Sequence, residues 1–401
     1  MELVEKDFSG KVNQMLGSSG YARIKCFNHS LHNVVGDGLK VAGRRFEVAI
    51  AKVNSVAVLK KKSALFSDVL EANFGKEVSF SMAVKTRWNS QFVMIQDFFR
   101  KDAEKLQASI SEHDKAETLS VIDTEVLKEF LNVLEVFQEA TLMTEADKTP
   151  TLNMALPLLL SLIQVLQSQI GHTKHCGNFI SGLLLSIYKR FNGLLQLINF
   201  SALCGPPFYP QENDDGTWND EIFLVAACLD PTIKLKWVES DCQFLSADQK
   251  NVLKEKVQSI ILSMIEDCSV SQVESQHNQE MERGFDGLDA PPAKKSKLLH
   301  YVSSDLESPT TSLATTPQLE LLQFLQHRSH GSIQGFWSVE RRQFPRLAAL
   351  VRKVLCVVAS SSPVERVFSV GGYMMRPHRA SLGPNTLKNL VFLRCNLHLL
   401  P

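Results

Sequence analysis

The glutamate in the stretch ASSSPVERVFS, residues 359–369, has a side chain that can serve either chemistry or structure. Carboxylates hold the divalent ions, about 3.5–4 Å apart, of two-metal enzymes that cut nucleic acids. The neighbouring residues offer a structural alternative, because Ser362 is a good N-cap, Pro363 suits the first helical position and Glu365 follows the cap by three residues. This spacing is that of a capping box opening a helix, which the glycine pair at 371–372 would end. From the residue types alone, Glu365 is predicted to be a cap.

A second candidate constellation is Cys26 with His29, three residues apart, which could place a thiolate and an imidazole on one helical face. Zinc needs two more ligands. His172, His175 and Cys176 have suitable spacing, but they lie far along the chain, and no CxxC pair exists anywhere in the sequence. We therefore predict structural polar roles for these residues and no metal site.

Composition sets the broad class. Hydrophobic residues at 44% and charged residues at 21% are typical of a folded soluble protein, and eight scattered cysteines favour a reducing compartment. The net charge is zero, yet residues 336–401 carry ten Arg or Lys against two Glu, and residues 40–62 carry seven against one. Such segments either meet phosphate or form solvated helix faces. Gly-rich phosphate loops and Ser-His-Asp arrangements are absent, so we expect no cofactor and no small-molecule substrate.

The elements that must position these residues are predicted to be helices. Apolar residues recur every three to four positions over 103–136, 154–170, 179–198, 252–265, 344–358, 363–370 and 384–399. Strand signals are weak and confined to 22–27 and 78–84, while 205–220 has the composition of a loop. The most apolar run, 152–166, is short and interrupted by polar residues, so it is predicted to be a buried helix, with no membrane partner.

The chain divides by composition into three parts. Residues 1–268 contain most of the helical pattern, and 319–401 form a compact C-terminal unit. Residues 269–318 are polar and rich in Ser, Thr and Pro, which predicts a disordered linker. Within it, PPAKKSK at 291–297 fits a weak nuclear-localisation signal, so the nucleus is the expected location.

One long segment resembles a known family. GFWSVERRQFPRLAALVRKVLCVVASSSPVERVFSVGGYMMRPHRASLGPNTLKNLVFLRCN, residues 335–396, resembles the C-terminal dimerisation region of the hAT transposase superfamily. Upstream, CFNHSLHNVV (26–35), KTRWNSQF (85–92), TPTLNMALPLLLSL (149–162) and AACLDPTIKLKW (227–237) are similar to the family's C-x-x-H segment, R-W segment and helical insertion. The resemblance implies a mainly α chain: a helical insertion bundle with a partial RNase H-like core in 1–268, the linker 269–318, and a dimerisation domain at 319–401.

The resemblance also assigns roles to single residues. Glu365 matches the family's metal-binding glutamate, but the family needs two aspartates as well, and Asp7 is the only candidate before Cys26. We therefore expect a catalytically inactive protein in which Glu365 survives as a cap. Trp88 matches a tryptophan that stacks on DNA, with Arg87 as a phosphate contact, although a core position for Trp88 is favoured. Two other functions stay open: a fragment of a DNA transposase, and a non-catalytic DNA-binding factor.

Homodimerisation is the function that the resemblance favours. The last predicted helix has more apolar surface than one core-facing stripe requires, and surplus apolar surface on a soluble protein usually marks an interface. The residues predicted to contribute to it are Trp337, Phe344, Leu347, Phe368, Leu387, Leu390, Val391 and Leu397.

Overall fold

The computed structural model describes residues 24–83, 88–112, 122–200, 218–282, 316–329, 331–375 and 382–397, and the side chains of all of these except 268–282. Every regular element in these ranges is an α-helix, so the predicted mainly α fold is confirmed. The predicted strands at 22–27 and 78–84 are wrong in their described parts. Side chains rather than a neighbouring strand satisfy the backbone of the second segment: Asp97 accepts from Ser81 N–H, and Asn54 accepts from Ala83 N–H.

The first helices form one side of the core. They are α1 (Phe27–Val41), α2 (Arg44–Lys62), α3 (Ala64–Phe74), α4 (Trp88–Phe99), α5 (Ala103–Ser111) and α6 (Thr124–Thr144). The pattern over 103–136, predicted as continuous, is divided between α5 and α6. Asp123 begins α6, because its carboxylate accepts from the N–H of Val126 and so satisfies one of the free amides of the first turn.

The centre of the core is built around α7 (Leu152–Gln169). By length and composition this helix could cross a membrane, but a little over half of it, 56%, is buried among the other helices. It packs against α6 and against two helices further along the chain, α8 (Gly177–Arg190) and α10 (Ile222–Leu229), where residues 223–229 are all buried. The remaining helices here are α9 (Asn192–Leu197), α11 (Lys236–Ser240) and α12 (Ala247–Glu282).

Helices α1 and α8 make the most extensive contact in the molecule, and glycines permit it. A Cβ added at Gly182 of α8 would lie 2.3 Å from Cγ2 of Val41 and 3.2 Å from the Cα of Gly38 in α1. The backbones therefore approach too closely for a side chain at Gly182. Asp37 reinforces the pair, since its carboxylate accepts from Arg190 Nη2 at 2.6 Å and Ser186 Oγ at 2.8 Å.

The C-terminal part contributes α13 (Pro317–Gln326), α14 (Ile333–Glu340), α15 (Pro345–Val354), α16 (Ser362–Met374) and α17 (Pro384–Cys395). Helix α15 packs on α10, α12 and α13, so it belongs to the same core as the preceding helices. Helices α16 and α17 pack chiefly on each other and contain no buried residue.

Several boundaries differ from the sequence-based expectations. Helix α16 continues through Gly371 and Gly372, because two glycines cost only about 1 kcal/mol each in a helix and do not by themselves end it. Helix α12 extends to Glu282 and α13 begins at Pro317, so both ends of the predicted linker 269–318 are helical. Residues 283–315 and most of the predicted loop 205–220 lie outside the described residues.

Candidate functional site

The two segments with the strongest chemical signals, around Cys26 and around Glu365, meet in space. The N–H of Phe27 donates to the carbonyl of Ala359 at 2.7 Å, and the N–H of Ser361 donates to Cys26 Sγ at 3.2 Å. Cys26 Sγ also accepts from the N–H of His29 at 3.4 Å, which makes Cys26 the N-cap of α1. The sulfur thus joins the start of α1 to the start of α16.

A polar cavity of about 400 Å³ opens beside this junction. It brings together the residues that the sequence singled out on three separate segments, and it adds polar groups from α1, α4 and α6. Its lining consists of Cys26, Asn28, His29, His32, Trp88, Asn89, Thr141, Glu145, Ser362 and Glu365.

Glu365 does not form the predicted capping box. The N-cap of α16 is Ser361 rather than Ser362, and its φ of −78° and ψ of 0° are helical rather than extended. The predicted capping box needs the Ser362 N–H to reach Glu365, but this N–H donates to the Ser360 hydroxyl at 3.1 Å. Glu365 Oε1 accepts instead from the Ser361 hydroxyl at 2.8 Å. The Ser362 hydroxyl pairs with that of Ser360 at 2.7 Å.

Trp88 is part of the core, since only 4% of it is exposed. Its ring lies edge-on to Phe92 at 6.4 Å and to Phe137 at 6.5 Å. In this position the indole forms a wall of the cavity but does not present a free face for stacking on a base. Arg87, the other residue predicted to contact DNA, lies outside the described residues.

Metal binding at the cavity would require several donor side chains to lie close together. Among the residues that the structure describes, no three His, Cys, Asp or Glu side chains are grouped so that they could hold an ion. Cys26 and His29 share the cavity, while Asp7 lies outside the described ranges. The described lining of the cavity contains two carboxylates, Glu145 and Glu365, whereas a two-metal centre needs several.

The second histidine-cysteine cluster lies elsewhere, at the start of α8. Burial, together with the charge of Glu129, raises the pKa of the Cys176 thiol far above its ordinary value, which disfavours a thiolate ligand. Burial alone would raise the pKa of Glu129, but hydrogen bonds from the backbone of His175, Lys174 and Cys176 hold it below its usual range. His175 Nδ1 accepts from Arg45 at 3.0 Å. These contacts give the cluster a structural role, because they tie the residues before α8 to Glu129 of α6.

The hairpin of α16 and α17 carries many exposed apolar side chains. We define the hairpin surface as Val364, Val367, Phe368, Tyr373, Leu390, Phe392, Leu393 and Leu397, each at least 37% exposed. A bond from Arg366 Nη2 to the carbonyl of Glu145 at 2.9 Å, and an ion pair of the same nitrogen with Asp147 at 3.4 Å, hold the hairpin to the end of α6.

The residues predicted at a dimer interface fall into two groups. Phe368, Leu390 and Leu397 belong to the hairpin surface, and Leu387 and Val391 are partly exposed on α17. Trp337, Phe344 and Leu347 are instead buried in the core of their own chain, so they are not part of the exposed hairpin surface. The reason is that Phe324 of α13 packs against both aromatic rings, stacked on Trp337 at 5.2 Å and edge-on to Phe344 at 5.9 Å.

Sequence reasoning missed Glu320, which is only 1% exposed. Its carboxylate accepts from the N–H groups of Arg346 and Leu347, both at 2.9 Å, and from the Arg346 guanidinium at 3.3 Å. It therefore caps α15 from the neighbouring helix. The sequence held one signal for such an acceptor. Phe344, the residue before Pro345, has no side-chain acceptor, so the first amides of α15 needed an acceptor from another segment.

Two regions of the chain match known protein families, and the chain as a whole resembles two curated proteins. Residues 317–397 match the hAT family C-terminal dimerisation region, and residues 24–137 match the ZBED1 RNase-like helical domain. The chain is 20% identical over 399 residues to a putative AC transposase from Zea mays, covering 96% of this chain and 45% of that protein. It is 21% identical over 405 residues to a putative AC9 transposase from Zea mays, covering 96% and 46%. The chain thus spans about half the length of the curated relatives that it matches.

Proposed function

We propose that this chain, which its matches support as a transposase-derived protein of the hAT family, functions by bringing two copies of itself together. The contact is the hairpin surface of α16 and α17. The match of residues 317–397 to the family's dimerisation region supports this proposal.

The observation that carries the proposal is the exposure of large apolar side chains on a hairpin with no buried residue. Phe368 is 73% exposed and Phe392 is 66% exposed. Burying one such side chain contributes about 1.5–3 kcal/mol, and a two-fold interface buries each of them twice. A second copy is therefore the partner that removes this surface from water most effectively.

Light scattering on a size-exclusion column tests the proposal. The wild type should have the mass of two 44.9 kDa chains, and Phe368→Asp with Phe392→Asp, or Leu390→Asp with Leu397→Asp, should have the mass of one. Leu65→Asp is the control, because Leu65 is an apolar residue at least as exposed as the four substituted ones but lies on α3. A wild-type mass near one chain at micromolar concentration would contradict the proposal.

We further propose that this chain does not cut DNA by itself. Glu365, which matches the family's metal-binding glutamate, is engaged with the Ser361 hydroxyl, and among the described residues it belongs to no group of three metal-binding side chains. Supercoiled plasmid incubated with the protein and Mg²⁺ or Mn²⁺ should stay intact.

The second candidate is that the chain is a working part of a transposase. The convergence of Cys26, His29 and Glu365 on one cavity favours it. Metal-dependent nicking of the plasmid that Glu365→Gln abolishes would establish this alternative and exclude the first.

The nucleus is the location that we propose for the dimer. The support is the lysine cluster PPAKKSK at 291–297, which lies outside the described residues. A fluorescent fusion should be nuclear, and changing Lys294, Lys295 and Lys297 to Ala should leave it in the cytoplasm.

A further inference from the structure

A groove between α14 and α15 is separate from both the polar cavity and the hairpin surface. Its volume is about 300 Å³, and Trp337, Pro345, Ala348 and Val351 form its apolar floor. The indole N–H of Trp337 donates to the carbonyl of Leu229 at 3.1 Å, which fixes the ring against α10. The floor is therefore preformed, and the small side chain at Ala348 leaves space above it.

Two arginines border this floor. Arg341 lies in the turn after α14 and Arg352 in the last turn of α15, and both are exposed. Neither forms an ion pair with a carboxylate in the part of the chain that the structure describes, whereas Arg346 nearby is neutralised by Glu320. An apolar depression between two unneutralised cations is thus available for a ligand.

The apolar floor and the two arginines beside it together indicate the chemistry of the ligand. The phosphates of a nucleic-acid duplex could use the arginines, but its bases are stacked inside the helix and do not cover the floor. A peptide with a large apolar side chain between carboxylates satisfies both, because the side chain fills the floor and the carboxylates meet the guanidinium groups. We propose that the α14–α15 groove binds short acidic peptide segments of a partner protein through one apolar side chain flanked by Asp or Glu.

A set of nine-residue peptides tests this proposal on the full chain. Each peptide carries four Asp or Glu residues around a central Phe, Trp, Leu, Ile, Met or Ala, and binding is measured by fluorescence anisotropy. At least one large apolar residue should give a dissociation constant on the order of tens of micromolar, and Ala should bind at least about tenfold more weakly. Replacing the acids by Asn and Gln should weaken binding similarly. Failure of the whole set to bind at about 1 mM would overturn the proposal.

Variants of the chain locate the binding. Arg341→Glu with Arg352→Glu should weaken binding at least about tenfold, and Ala348→Leu should do the same by filling the floor. Arg342→Glu is the matched control, because Arg342 is exposed in the same turn but does not line the groove, and it should change binding less than about threefold. If Ala348→Leu fails to fold, the variant Arg341→Glu with Arg352→Glu still tests whether the peptides bind in the groove.

Two other occupants are outcomes of the same experiment. If Arg342→Glu weakens binding as much as the arginine pair, or if a duplex oligonucleotide binds more tightly than every peptide with the same dependence on Arg341 and Arg352, the groove is not a peptide site. If the groove variants convert a dimer to a monomer, a second copy occupies it. Each of these results overturns the proposal.

Discussion

The side chain of Glu365 shows how a residue can match a sequence pattern and still use a different hydrogen bond. The predicted capping box would couple Glu365 to Ser362, whereas in the structure the Ser361 hydroxyl donates to Glu365. A double-mutant cycle in urea should therefore give a coupling of about 0.5–1 kcal/mol between Glu365→Ala and Ser361→Ala. The cycle with Ser362→Ala should be additive within experimental error. If Glu365 were coupled to Ser362 and not to Ser361, the capping box would be supported instead.

Asp37 offers a pH-dependent test of a second hydrogen-bonded carboxylate. Burial would raise its pKa, but hydrogen bonds from Lys40, Arg190 and Ser186 lower it from 3.8 to about 2. Because the folded pKa is depressed, the stabilisation is complete at pH values well above 3.8 and is lost as the pH falls from about 4 towards 2.

The corresponding prediction compares Asp37→Asn with the wild type across this range. The variant should lower the free energy of unfolding at pH 7, and the difference should shrink steadily below pH 4. Urea denaturation at each pH measures it. Asp68→Asn, at an exposed aspartate without a hydrogen-bond partner in the described residues, should change little throughout. A difference for Asp37→Asn that is constant from pH 7 to pH 3 would contradict the assignment.

At the scale of elements, the contact of α1 with α8 depends on a side chain being absent. A Cβ at Gly182 would meet Val41 and the backbone of Gly38, so Gly182→Ala should destabilise the protein by about 1–3 kcal/mol despite the better helix propensity of alanine. Gly36 of α1 has no atom within 4 Å of such a Cβ. Gly36→Ala should therefore be neutral or stabilise by up to about 1 kcal/mol. Thermal unfolding of both variants checks this, and equal effects would refute the close approach.

The whole molecule behaves as one core with an attached hairpin. The regions that match the two family models, 24–137 and 317–397, are connected through α7, α10 and α12, because α15 packs on α10 and α12. The buried carboxylate of Glu320 and the bond from Trp337 to Leu229 add polar links to this core.

We therefore predict a single calorimetric unfolding transition for the full chain, since a shared core unfolds cooperatively. Monomeric Phe368→Asp with Phe392→Asp should keep that single transition, because the hairpin surface contributes nothing to the core. Two resolved transitions, one assigned to residues 319–401, would show instead that the C-terminal part folds independently.

The sequence by itself determined the helical class of the segments with clear apolar spacing, and the bounds of some of them. Helix α7 was expected over 154–170 and runs from Leu152 to Gln169, and α17 begins at Pro384 as expected. These features are local: apolar spacing and proline at the first turn act within a few residues. The hAT resemblance likewise depends on short motifs that can be read along the chain.

Only the tertiary structure decided which partner each group uses. The N–H of Ser361 donates to a cysteine more than 300 residues away in sequence, a partner that no local pattern indicates. Trp337, Phe344 and Leu347 have the same apolar character as the residues of α16 and α17, yet Phe324 and α10 bury the first group and nothing in the described residues buries the second. Apolar character is encoded locally, but burial and hydrogen bonding depend on contacts between distant segments, and those exist only once the chain has folded.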